Sequence, residues 1–315
     1  IPHCQKGYHK KMKFEKIKNT DVTITENDWV TVTEMGNITE VQYMSRRNGQ
    51  ARIIKVSSEE YLHIETGEIR SFVKKPTTRI ESENSVRKTM RRIRELVQTN
   101  VTDPQKVRWV TLTYAENMTD GKRLYEDFRR FNQRFVYNLK GRGISKPGYI
   151  AVAEPQRRGA WHLHVLYIWK DRPAPYIANN DLARIWGHGY TSIKAVKDDN
   201  LASYLLAYLS DLDIPENLQE FFPADSKDVK TVDTGSGKPK RIVKGLRLNL
   251  YPANFNIVRH SRDIRKPVKR RMPYDDALKL VADKELTYEA SFRLSDGKGF
   301  ETLINRKTYK AQRAY

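Results

Sequence analysis

Trp161-His162-Leu163-His164-Val165-Leu166-Tyr167-Ile168-Trp169 reads as a β-strand with two histidines separated by one leucine. Side chains alternate faces along a strand, so His162 and His164 project the same way, roughly 7 Å apart. Trp161, Leu163, Val165, Tyr167 and Trp169 take the other face. Taken alone, the pair reads as two polar residues on the wetter face of a strand, the ordinary explanation of so short a match. Two imidazoles held in this way grip a metal ion when a third ligand converges on them.

Working outward, Tyr149 to Glu154 reads as the preceding strand. Pro155-Gln156-Arg157-Arg158-Gly159-Ala160 is a hairpin loop joining it to the histidine strand. Short-loop pairing places Glu154 beside the start of the next strand, near His162. The combined oxygen and nitrogen donors suit Mg2+ or Mn2+ in an open site, with positions left for water and phosphate oxygens. The hairpin sits in a β-α-β-β-α-β-α pattern that begins near Lys106. Val107 to Tyr114 is a strand, and Leu124 to Leu139 is an amphipathic helix with Leu124, Phe128, Phe131, Phe135 and Leu139 on one stripe. Arg129, Arg130, Arg134 and Lys140 make its polar side basic. Asn180 to Trp186 is a short helix closed by Gly187, Tyr190 to Val196 a fourth strand, and Leu201 to Leu212 a helix. The pattern predicts an α+β fold, a central antiparallel sheet flanked by helices, with basic N- and C-terminal extensions.

Residues 1–105 read as a basic accessory region. Short strands are expected at Val22-Thr23-Ile24-Thr25 and within Ala51 to Val56, and a helix from Glu83 to Gln98. Val86, Met90, Ile93 and Val97 line one side of that helix, and Arg87, Lys88, Arg91, Arg92 and Arg94 crowd the others. Such a face is either simply solvated or tracks phosphates. Residues 106–213 form the expected catalytic domain. Residues 214–240 are polar and broken by Pro215, Pro223, Gly235, Gly237 and Pro239, as in a linker. Residues 241–315 form a basic C-terminal region. There Leu246 to Leu250 alternates like a strand that Phe255 to Arg259 would pair with, before a small helix and a strand. No internal repeat is found.

The 58 Lys and Arg against 38 Asp and Glu give a formal charge of +20, which points to a polyanionic partner. No apolar run approaches the roughly 18 residues of a spanning helix. The first residues, through Lys6, His9, Lys10, Lys11 and Lys13, lack the apolar core of a secretory signal, and the chain begins at Ile1. Cys4 is the only cysteine, which excludes an internal disulfide framework and cysteine zinc modules. An intracellular, cytoplasmic protein working on nucleic acid is expected, with no membrane partner.

Tyr204-Leu205-Leu206-Ala207-Tyr208 adds a second feature. Tyrosines four apart on a helix lie one above the other. On an amphipathic core helix with Leu201, Leu205, Leu209 and Leu212 as its stripe, they would be packing residues with hydroxyls at the rim. Beside a metal site they become candidate nucleophiles, attacking a phosphodiester to form a phosphotyrosine.

Thr111-Leu112-Thr113-Tyr114, then Glu154 with His162-Leu163-His164, then Tyr204-x-x-x-Tyr208 resemble the three motifs of the HUH endonucleases. With the tyrosines after the histidines, the order is similar to that of rolling-circle replication initiators (Rep) of plasmids, phages and related mobile elements. Leu246 to Pro252 and Ser261 to Pro267 resemble bacterial members of the group. The resemblance implies a sheet similar to the RNA-recognition motif and a divalent ion held by His162 and His164 with Glu154 assisting. It also implies nicking and rejoining of single-stranded or hairpin origin DNA through a covalent 5′-phosphotyrosine, with Tyr204 in the leading position. The lysine usual three residues after the first tyrosine is Ala207 here, so Lys194 or Lys197 is the candidate replacement. Arg87, Arg91 and Arg129, together with Lys194 and Lys197, are candidates for sequence-independent DNA contacts. Gly235-Ser236-Gly237-Lys238-Pro239 fails as a phosphate loop, so a host helicase and polymerase are the expected companions. His188, between Gly187 and Gly189, is either a further ligand or, as the preferred reading, a turn histidine. The other readings are a single-strand transposase or relaxase of the same chemistry, and a non-catalytic binding module whose Tyr114, Trp161 and Tyr167 stack bases.

Overall fold

A computed structural model describes residues 15–47, 53–57, 59–64, 66–71, 83–196, 201–210, 212–213, 229–232, 240–243, 246–252, 254–295 and 300–311. The chain divides into two compact units. One is Lys74–Lys266, and the other joins Ile1–Val73 to Pro267–Tyr315.

The first strands are β1 (Glu15–Lys18), β2 (Trp29–Met35) and β3 (Ile38–Met44). The strand expected at Val22 to Thr25 does not form. Both the backbone N–H and the hydroxyl of Thr25 donate to the Asp28 carboxylate, at 2.7 and 2.9 Å, so a local turn takes the donor a ladder would need. A small antiparallel sheet follows, made of β4 (Ile53–Lys55), β5 (Glu60–His63) and β6 (Ile69–Ser71).

The contiguous unit opens with α1 (Glu83–Asn100), anchored by Val86, Ile93, Leu96 and Val97. Asn100 clamps its end by donating to Arg265 O (2.8 Å) and accepting from Arg265 N (2.9 Å). Then come β7 (Val107–Thr113), α2 (Gly121–Gly141), β8 (Gly148–Pro155), β9 (Trp161–Ile168), α3 (Asn179–Trp186), β10 (Thr191–Ala195) and α4 (Leu201–Ser210). Short strands β11 (Leu212–Asp213), β12 (Val229–Val232) and β13 (Lys240–Val243) make a separate small sheet. Part of the expected linker is therefore strand, and its remaining residues lie outside the described ones. A 3-10 turn (Leu246–Leu250) and β14 (Val258–His260) complete the unit.

The main sheet runs β10-β7-β9-β8-β14, antiparallel throughout. Asp120 starts α2 by accepting from the N–H groups of Lys122 and Arg123. Gly187, at φ +70°, closes α3 in the left-handed conformation that glycine tolerates. Helices α2 and α3 cover one sheet face through aromatic packing, with ring centroids 4.7 Å apart for Phe135–Tyr167, 5.1 Å for Phe128–Tyr149 and 5.7 Å for Phe131–Trp186. Tyr167 alternates with the histidines along β9, so this is the face turned away from them. Two expectations need correction. Leu246 to Leu250 is a 3-10 turn rather than a strand, because Arg247 and Tyr251 are tied to carbonyls at the end of β8. The segment expected to pair with it supplies β14, which extends the main sheet through β8.

The chain then returns to the first unit with β15 (Val268–Pro273), α5 (Tyr274–Leu280), β16 (Lys284–Ser295) and β17 (Glu301–Ala311). Its six-stranded sheet has the order β1-β16-β17-β3-β2-β15. Val30, Val32 and Val41 pack with Ala277 and Val281 as its core.

Candidate active site

Register alone brings the predicted donors together. Glu154 on β8 and Thr113 on β7 are the partners of His162 on β9, and Val152 and Thr111 are the partners of His164. Opposed residues in an antiparallel sheet share a face, so both histidines, Glu154, Thr111 and Thr113 line the face away from α2.

His164 is buried and used on both nitrogens. Its Nδ1 lies 3.3 Å from the Trp109 indole N–H, which donates to it, and 3.2 Å from the Thr111 hydroxyl. A nitrogen that accepts the indole hydrogen leaves the other carrying the ring proton. That other nitrogen, Nε2, donates to Glu154. The second Glu154 oxygen is ion-paired with Arg247 from the 3-10 turn, and Arg247 also donates to Pro155 O at 3.0 Å. Burial pushes the Glu154 carboxyl up, but the hydrogen bond with His164 and the Arg247 guanidinium beside it outweigh that and hold the group below the usual carboxylate range. His162 differs. Its Nε2 is buried with no hydrogen-bond partner among the described residues. Burial drives its pKa down to about 4 against the pull of Glu154, so the ring is neutral at pH 7 with an available lone pair.

Helix α4 carries Tyr204 and Tyr208, whose side chains lie outside the described residues, as does all of Lys197. Leu201, Leu205 and Leu209 of the expected stripe are buried, while Leu212 belongs to β11. The helix lies against α1, β8 and the 3-10 turn that supplies Arg247. Lys194 is exposed on β10 opposite Trp109, two strands from the histidine strand and on the same face. Arg87 and Arg91 are exposed on α1. Arg129 is exposed on α2, across the sheet from the histidines, so these three arginines are not gathered in one place. Tyr114, Trp161 and Tyr167 are all buried, which removes the base-stacking platform.

Arg247 is the site residue that sequence reading missed. A lone arginine among leucines signals a buried partner, but nothing local names Glu154. A second polar cluster occupies the opposite face. There the Tyr114 hydroxyl donates to buried Asp127 at 3.0 Å, with Arg123 Nε at 3.4 Å and His188 Nε2 at 3.7 Å from that carboxylate. His188 is thus more than a turn residue, since its imidazole faces a carboxylate that pins the end of β7 to α2.

Residues 107–213 match the family model described as replication-associated protein ORF2/G2P. The match runs from the first residue of β7 to the last of β11, about a third of the chain. It supports a part in DNA replication for the segment that holds the histidines, Glu154 and both tyrosines. No curated protein and no solved structure matches the chain. Among the described residues, no helix is long and apolar enough to cross a membrane.

For a divalent ion, the donors fit in kind. Two imidazoles and a carboxylate share one face, and the buried Nε2 of His162 lacks a partner among the described residues. As arranged, His164 and Glu154 are bonded to each other. Among the described residues, no group of three or more His, Cys, Asp and Glu side chains stands in position to hold a metal. Ligation would replace the His164–Glu154 bond.

Proposed function

We propose that the chain is a replication initiator that nicks and rejoins single-stranded or hairpin origin DNA through a covalent 5′-phosphotyrosine, using Mg2+ or Mn2+. The observation that carries this reading is the buried, neutral His162 nitrogen, without a partner among the described residues, beside the His164–Glu154 pair and inside the replication-associated segment. His162, His164 and Glu154 would hold the ion, which would supply Lewis-acid polarisation of a scissile phosphate and neutralise developing charge. With Nε2 ligating, the His164 proton moves to Nδ1, where the Thr111 hydroxyl can accept it, and Arg247 offsets the charge of Glu154 beside an incoming phosphodiester. Tyr204 is the first nucleophile. Its oxygen bonds to phosphorus as the bond to the 3′-oxygen breaks. The phenol loses one proton and the departing 3′-hydroxyl gains one. Reversal by a 3′-hydroxyl rejoins the strand, and Tyr208 serves a second transfer.

Denaturing electrophoresis of protein with labelled origin oligonucleotide in Mn2+ tests the reading. A covalent adduct is expected for the wild type. His162→Ala should reduce it by at least about a hundredfold, on the scale of losing a metal-site or nucleophile-activating group, and Tyr204→Phe/Tyr208→Phe should abolish it. An adduct that survives the double substitution sinks the mechanism.

A further inference from the structure

We propose that the β2–β15 edge of the sheet built from both ends of the chain is a docking face for single-stranded DNA, separate from the histidine site. Thr31 is the register partner of Arg271, and Thr33 of Lys269. Trp29, Thr31, Lys269 and Arg271 therefore share one face. Val30 and Val32 project to the other, where they pack with Ala277 and Val281. Trp29 is 54% exposed, and the Arg271 guanidinium lies 5.5 Å over its ring. Arg47 adds a third cation by donating to the Thr31 hydroxyl. The single acid on these two strands, Glu34, turns to the opposite face and pairs with Arg270, and Glu40 of β3, which shares the face beside Thr33, is buried and ion-paired with Arg306. The face is thus cationic around an exposed indole.

Positive charge on an edge strand also guards against unwanted strand pairing. That role calls for cations but has no use for a half-exposed tryptophan held under an arginine. An indole flanked by cations is what sequence-tolerant single-strand binding uses: bases stack on the ring, and the cations follow the phosphates. A duplex keeps its bases stacked inward and would leave the indole unused. The choice of DNA over RNA rests on the replication reading above.

Trp29 is the one exposed tryptophan of the five, since Trp161, Trp169 and Trp186 are buried and Trp109 is half-buried beside His164, so its signal is read as the difference between wild type and Trp29→Phe. The full chain, in EDTA, is titrated with a homothymidine oligonucleotide that offers no nick site. Tryptophan fluorescence should be quenched, and Trp29→Phe should remove the larger part of the quench, any remainder being that of Trp109 at the histidine site. By anisotropy of the labelled oligonucleotide, Trp29→Ala should bind roughly five- to hundredfold more weakly, the range for one lost base stack. Trp29→Phe should stay close to wild type, which separates stacking from damage to the sheet. Lys269→Ala/Arg271→Ala should flatten the slope of log affinity against log salt by about 1.4, from about 0.7 per phosphate contact. Unquenched fluorescence, unchanged affinity in Trp29→Ala, or tighter binding of duplex or of oligouridine overturns the proposal. A chain that forms the tyrosine adduct yet shows no Trp29-dependent binding refutes this face alone. A chain that binds through Trp29 and forms no adduct refutes the nicking reading alone.

Discussion

Arg247 and Glu154 are both almost withdrawn from water, with side chains 10% and 6% exposed. Removing one member of such a pair leaves the other charged and unsolvated. Arg247→Met should therefore lower the unfolding free energy by about 3–5 kcal/mol in urea denaturation. Adding Glu154→Gln should recover much of the loss, because two neutral groups replace one stranded charge. A loss below about 1 kcal/mol for Arg247→Met would mean that the pair is hydrated in solution. His162 gives a pH signature. Its folded pKa of about 4 lies below the unfolded value of 6.5, so the unfolded chain binds the extra proton first. The stability from keeping this ring neutral is complete above pH 6.5 and is lost as pH falls from there towards 4. The loss is on the order of 3 kcal/mol. The melting temperature of His162→Asn should fall less steeply than wild type across that window, and parallel curves would refute the assignment.

At the scale of elements, the link from α3 to β10 depends on Gly189, which sits at φ +145°. A Cβ there would stand 2.4 Å from Ala115 N and 2.6 Å from Thr113 O, both backbone atoms that cannot swing aside. The same link accepts from Ala115 N at His188 O (2.9 Å), and Trp186 Nε1 donates to Thr113 O (3.0 Å). Gly189→Ala should cost about 2–3 kcal/mol, the scale of a strained backbone position, as read by thermal melting. An unchanged melting temperature would show that the link relaxes. The shared face of His162, His164 and Glu154 is legible in the sequence because a two-residue period and a short hairpin loop are both local. The leucine stripe of α4 is legible for the same kind of reason. The 3-10 turn is not. Leu246-Arg247-Leu248-Asn249-Leu250 alternates like a strand, and only the reach of Arg247 across 92 residues to Pro155 decides otherwise. Asp127 was hidden in a similar way, as one acid on a helix whose polar side reads as basic.

For the whole molecule, the composition foretells a polyanion partner but not the arrangement of the chain. The pairing of β2 with β15, which joins Glu34 to Arg270 across 236 residues, has no local signature. Each strand is plausible alone, and neither announces its neighbour. The helix-and-strand order of the contiguous unit is different, since its sheet is built largely from segments that follow one another closely.

The discontinuous sheet also sets an order in time. During synthesis β2 and β3 emerge soon after β1, and their outer neighbours β15 and β17 come only after the whole of Lys74–Lys266 has been made. At ordinary translation speeds the hairpin waits on the order of ten seconds or more with both edges open. The contiguous unit can fold during that wait. Arg271 and Lys269 arrive with β15, so a nascent chain holds the paired strands of the histidine site before it has the cationic edge proposed to dock single-stranded DNA.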